Sequence, residues 1–218
     1  MRYNRRMKKS HLIRIAVILI VGLGTAAFIA NNQIQQTKPS YQKPIKRPDV
    51  VSKNFGGAFT LTNHLGQSVT HQDFDNQYRL IYFGFTYCPA ICPTELQRIS
   101  TILKNIEAEK SDLIQPIFIT IDPERDTIEV MKNYVELFHP RLIGLTGTSA
   151  QIDVAKKAYK IYAAKVQDET MSDYTMDHSS FIYFIGPDNS LIRIFKLDDE
   201  IDDMTDFIQG YMLSLIHI

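Results

Sequence analysis

The chain of 218 residues has no tryptophan, only two cysteines, and no excess of either charge, with 24 basic and 24 acidic side chains. Two cysteines cannot supply the four thiolates of a Cys₄ iron–sulfur cluster. No Walker-type or Rossmann-type glycine loop is present, and no internal repeat. The zero net charge hides an uneven spread. Residues 1–14 hold six basic side chains (Arg2, Arg5, Arg6, Lys8, Lys9, Arg14) and no acid, which leaves −6 on the remainder. An acidic body offers no footprint for nucleic acid. At 44% hydrophobic and 22% charged, the composition is that of a globular protein able to bury a core.

Long apolar runs are also scarce, and the one present is near the N-terminus. Residues 15–30 are uncharged, with Thr25 the only polar side chain, and Leu12 and Ile13 extend the run past a snorkelling Arg14. About 20 residues span a bilayer core, within a range of roughly 17–25. Residues 12–30 are therefore expected to be a transmembrane anchor, preceded by a cytoplasmic basic segment, 1–11, by the positive-inside rule. The alternative is a signal peptide cleaved after the small residues Thr25-Ala26-Ala27. Either reading exports the body to an oxidising compartment. The expected setting is a bacterial inner membrane with the domain in the periplasm, in preference to the mitochondrial inner membrane. Residues 31–54, with Pro39, Pro44 and Pro48, read as a semi-extended tether. Residues 55–218 read as one domain.

Both cysteines lie in Gly84-Phe85-Thr86-Tyr87-Cys88-Pro89-Ala90-Ile91-Cys92-Pro93. The apolar Leu80-Ile81-Tyr82-Phe83 before them reads as a buried strand, within 79–85. The residues after them read as an amphipathic helix over 93–109, with Pro93 suited to its first turn. Cys92 is thus at or near a helix N-terminus, where partial positive charge favours thiolate. Elsewhere the pattern predicts a hairpin over 59–70, strands at 114–121 and 142–145, and helices at 127–138 and 149–159. A strand at 160–166, an acidic loop over 168–177, a hairpin of 181–185 with 191–195 and a helix at 200–214 complete it. Strands alternating with helices, then a hairpin and a helix, give an α/β fold with a mixed sheet flanked by helices. A cysteine pair on the turn after a central strand suits a thioredoxin-like fold.

A bridge between cysteines four apart would close a tiny loop and constrain the unfolded chain little, so a staple is the weaker explanation. The pair alone does not choose between redox and metal chemistry. His178, in Met176-Asp177-His178-Ser179-Ser180, is a candidate third ligand, with Asp177 placed to orient its ring. A lone histidine is more often an ordinary surface or core residue. If it joins, the set is Cys₂His, too few for a closed structural zinc site. Ligand softness then favours copper. Turn and capping duty explain Asp122 and Asp126, the latter in capping-box spacing with Glu129. Met171 and Met176 are soft enough to touch copper, but packing or solvent accounts for them. The other five histidines read as ordinary.

Four segments in order resemble the Sco/SenC family of copper-binding, thioredoxin-like proteins, over about residues 55–211. They are 84–93, the turn Thr120-Ile121-Asp122-Pro123-Glu124-Arg125-Asp126-Thr127, the segment 142–148, and Asp177-His178-Ser179 with Tyr183-Phe184-Ile185-Gly186-Pro187-Asp188. One departure is visible: many members carry an acidic residue at the position of Ala90, which bears on local charge and thiol pKa. The resemblance implies that Cys88, Cys92 and His178 bind copper, as Cu(I) and also Cu(II). It implies delivery of copper to the binuclear site of cytochrome c oxidase, on that enzyme's copper-bearing subunit. The alternative is thiol–disulfide reductase activity through Cys88 and Cys92, preparing partner cysteines for metal. Other copper chaperones or thioredoxin-like reductases are expected as further partners. A metallochaperone fits better than an enzyme, because the spacer between the cysteines is three residues and a thioredoxin-type pair uses two.

Overall fold

The computed structural model describes residues 55–167 and 173–216, with residues 13, 14, 19, 22, 24 and 25 nearer the N-terminus. The chain divides into two units, residues 1–44 and 45–218. In the first, the six described positions are helical. The expected basic segment, most of the expected span 12–30 and the tether 31–54 lie outside the described residues. Among the described residues no helix is long and apolar enough to cross a membrane.

The second unit opens with β1 (Thr60–Asn63) and β2 (Ser68–Thr70), a hairpin followed by a one-turn 3₁₀ helix, His71–Phe74. Then come β3 (Tyr78–Gly84), α1 (Ile91–Asn105), the one-turn α2 (Ala108–Ser111), β4 (Ile114–Thr120), α3 (Ile128–Val135), β5 (Ile143–Thr146) and α4 (Ser149–Ala158). After β6 (Ala163–Val166) and β7 (Thr175–His178) follow β8 (Ile182–Ile185), β9 (Leu191–Phe195) and α5 (Ile201–Ile216). Seven strands form one sheet in the order β2-β1-β5-β4-β3-β8-β9, while β6 and β7 pair only with each other. Strands β3, β4 and β5 run parallel; β1 is antiparallel to β5, and β8 to both β3 and β9. The mixed sheet flanked by helices is as the pattern predicted.

All seven residues of β3 are buried, which explains the unbroken apolar run 80–83 in place of an alternating one; its one charged side chain, Arg79, is buried as well and donates to the Gly186 carbonyl at 2.7 Å. Its neighbours β4 and β8 are nearly as dry. The C-terminal end of β3 delivers the chain to the cysteine loop from the buried interior of the sheet. Helix α1 then packs back on β3 and β4, and against α5. Arg98 ties it to the stretch before α5: held by Glu95 on the same helix at 2.7 Å, its Nη1 donates to the carbonyl of Lys196 at 3.2 Å and its Nη2 bonds the Asp199 carbonyl. Burial pushes the Glu95 carboxyl up, with Arg98 drawing it back.

Two expectations change. Helix α3 is capped by Thr127, whose hydroxyl accepts from the Val130 N–H, so Asp126 is not its cap. The 168–177 stretch is not wholly a loop, since Thr175, Met176 and Asp177 belong to β7, registered against β6 with Ala163 opposite His178. Four residues are too few for an alternation of apolar and polar side chains to stand out.

Candidate metal centre

The loop between β3 and α1 makes the cysteine half of the site. Ala90 is the residue before α1, and Cys92 lies in its first turn. The Cys92 side chain is fully buried and that of Cys88 half-buried; both are free thiols. The backbone N–H of Cys92 donates to Cys88 Sγ at 3.4 Å, and the Tyr82 hydroxyl donates to Cys92 Sγ at 3.6 Å. The two sulfurs divide one proton unequally. The Cys92 thiol, with backbone N–H groups of the helix start, holds the Cys88 thiol down at about 5. Cys92 is pushed far up, by its partner first and burial second. The thiolate expected at Cys92 is found at Cys88 instead, held there by the Cys92 thiol first and by backbone N–H groups of the helix start after it.

Gly84 makes room for this. A Cβ there would come 2.8 Å from Cys92 Sγ and 2.8 Å from the Tyr82 ring, closer than real Cβ atoms approach anything. The last residue of β3 has to lack a side chain so that the sulfur can lie on the backbone.

His178 ends β7. Its ring stands edge-on to Phe85, 5.8 Å between centres, and to Tyr82 at 6.3 Å. Nδ1 lies 3.0 Å from the Ser179 carbonyl. A carbonyl only accepts, so Nδ1 carries the proton and Nε2 keeps its lone pair. That lone pair faces Cys92 Sγ at 3.8 Å. Burial holds the imidazolium below its ordinary value, favouring the neutral, ligating form. Asp177 does not orient the ring, contrary to expectation. Neighbours along a strand point to opposite faces, and Asp177 is exposed.

The structure thus brings Cys88, Cys92 and His178 together from stretches 86 residues apart. Among the described residues no three His, Cys, Asp or Glu side chains already close around an ion. Cys92 Sγ lies 3.8 Å from His178 Nε2, and Cys88 Sγ lies against the Cys92 N–H at 3.4 Å. Met176 packs against the core and Met171 lies outside the described residues. His64 and His139 accept backbone N–H groups, as ordinary histidines do.

Sequence reasoning undervalued the 120–127 turn. Asp126 is fully buried and accepts from the Thr86 N–H at 3.1 Å, the Thr86 hydroxyl at 2.6 Å and the Thr120 hydroxyl at 2.5 Å. It ties the start of the cysteine loop to the end of β4. Burial raises its pKa, against the pull of those bonds. Asp122, also buried, holds Arg125 Nε at 2.5 Å and accepts the Tyr174 hydroxyl at 2.8 Å. The signal available in sequence was Asp122 and Asp126, two and six residues past the end of a buried strand, a costly place for charge without partners.

The SCO1/SenC family description matches residues 48–213. The chain belongs to the SCO1/SenC family. It is 40% identical over 175 residues to the mouse protein named SCO2 homolog, mitochondrial, covering 80% of this chain and 68% of that one. Among solved structures it is similar to Arabidopsis thaliana ScoI with copper bound, at 35% identity and a TM-score of 0.69, covering 73% of this chain and 99% of that one. It is also similar to BsSco, described as having a disulfide switch and as a member of the Sco family of cytochrome c oxidase assembly proteins, at 25% identity and a TM-score of 0.58, covering 78% and 98%. The thioredoxin-like fold is shared with these SCO1/SenC structures. The expected bacterial inner-membrane setting is corrected. The mouse relative is named as mitochondrial, as are those from cattle and human, which points to mitochondria. Basic residues before an apolar run set which side a terminus takes, not which organelle holds the membrane.

Proposed function

We propose that this chain is a membrane-anchored copper carrier. Cys88, Cys92 and His178 bind one copper ion as cargo, as Cu(I) and also as Cu(II), and hand it to the copper-bearing subunit of cytochrome c oxidase. The observation that carries the reading is the 3.8 Å between Cys92 Sγ and His178 Nε2. First-row metals such as zinc bind sulfur at about 2.3 Å and imidazole at about 2.1 Å, and at trigonal angles those bonds put the donors about 3.8 Å apart. Two thiolates and one neutral imidazole form a soft set that suits Cu(I). Cys88 is the half-exposed member, so ion and partner meet the site from its side. The copper-bound relative and the assembly role named for BsSco support cargo and recipient. Residues 12–30 anchor the chain, 31–54 tether it, and 55–218 form the copper-binding domain.

The split between the thiols supports a second reading, a dithiol reductase. Cys88 thiolate would attack a partner disulfide and form a mixed disulfide. Cys92, giving its proton to the departing partner thiolate, would then attack the Cys88 sulfur. The partner leaves reduced by two electrons, as one thiol and one thiolate that takes its proton from water, and a Cys88–Cys92 disulfide remains.

His178→Ala separates the readings, because copper needs the imidazole and dithiol exchange does not. The carrier reading expects His178→Ala to lose copper binding and oxidase assembly about as badly as Cys88→Ser or Cys92→Ser. Full oxidase assembly in cells carrying only His178→Ala, without added copper, would overturn the carrier and leave the reductase.

A further inference from the structure

His178 is delivered by β6 and β7, a two-stranded ribbon with no hydrogen-bonded place in the main sheet. Such a ribbon is marginal by itself, so something else has to set where its histidine stands. Phe85 and Tyr82 pack on the His178 ring, and Ala163 and Met176 lie against the core; the polar contacts at the entry to β7 gather on one residue. Arg125, in the turn after β4, has a side chain only 17% exposed. Its Nη1 donates to the carbonyl of Tyr174, just before β7, at 2.8 Å. Its guanidinium carbon lies 3.7 Å from the centre of the Tyr174 ring and 4.7 Å from that of Tyr87, the residue preceding Cys88. Asp122 holds Arg125 Nε and the Tyr174 hydroxyl at once, and the Asp173 carboxylate is 3.7 Å from Nη1.

We propose that Arg125 is a positioning residue that locks the histidine ribbon to the cysteine loop, so that His178 is preset opposite Cys92. The proposal rests on the copper reading of that site. One flat cation spans both halves, with a ring from each against it and a carboxylate fixing its plane. A lysine keeps the charge but has neither the plane for two rings nor the fork for Asp122 and the Tyr174 carbonyl. The outer contact, Lys165 with Glu124 at 2.6 Å, joins two half-exposed side chains and adds little.

The test uses the full chain as Arg125→Gln, Arg125→Lys, His178→Ala and the double variant Arg125→Gln/His178→Ala. Two quantities are measured: amide hydrogen exchange without metal, and Cu(I) affinity by competition with a chromogenic chelator. Both Arg125 variants should speed exchange in 163–166 and 175–178 while leaving β3 and β4 protected. Copper affinity should fall about 10–100-fold, the usual loss when a group orienting a ligand is removed. The double variant should bind copper no more weakly than His178→Ala, because Arg125 acts through His178. Unchanged ribbon exchange in Arg125→Gln, or losses that add in the double variant, would overturn the positioning role while the copper site stands. Undiminished copper affinity in His178→Ala would overturn the copper reading itself, and the proposal with it.

Discussion

Cys88 and Cys92 are four residues apart and chemically unlike. The first is half-exposed and faces helix N–H groups; the second is dry, beneath Tyr82 and against Gly84. With Cys88 held at about 5 against an ordinary 9.0, its sulfur is a thiolate throughout the neutral range, where an unfolded cysteine is mostly thiol. Cys92 keeps its proton over the same range. Alkylation of the reduced chain by iodoacetamide should therefore be fast at one site. Its rate should rise to half-maximum near pH 5 and stay flat from pH 7 to 8.5, with mass mapping placing the label on Cys88. A rate still climbing through pH 8 to 9, or equal labelling of both cysteines, would contradict this division. The spacing in the sequence announced the pair, and the helix after it announced a thiolate but placed it on Cys92 rather than Cys88. The difference between the two sulfurs was not legible, since it depends on Tyr82 and Gly84 of β3 meeting the second and not the first.

The elements around the site were legible in proportion to how much they bury. Strand β3, the helix after the cysteines and the hairpin of β8 with β9 could be read from apolar runs and their punctuation. Of the ribbon, β6 falls within the expected strand at 160–166, whereas β7 lies at the end of the stretch expected as a loop, because its burial is partial and four residues show no apolar periodicity. Asp126 shows the same limit. Its spacing suited a helix cap, and its carboxylate is spent on Thr86 and Thr120 because the chain returns there after β4. Asp126→Ala leaves two hydroxyls and one N–H without their acceptor. Each orphaned buried group costs about 1–3 kcal/mol, with water relieving part of it. A loss of about 3 kcal/mol is expected in urea unfolding of the reduced, metal-free chain. A loss under about 0.5 kcal/mol, the scale of a neutral surface change, would show that Asp126 does not hold the cysteine loop.

At the scale of the whole molecule, the site exists only because the fold joins segments that are distant in the chain. The sheet brings the end of β3 beside the entry to β8, and the ribbon lowers His178 onto the buried sulfur. The reading therefore makes one claim no single segment can satisfy, that copper is held by Cys88, Cys92 and His178 together. X-ray absorption at the copper edge of the full chain, loaded with one equivalent of Cu(I), tests it most directly. The expected coordination shell has two sulfurs at about 2.3 Å and one imidazole nitrogen at about 2.0 Å, with the nitrogen shell lost in His178→Ala and one sulfur lost in either cysteine variant. A shell unchanged by His178→Ala, or one containing no sulfur, would contradict the account.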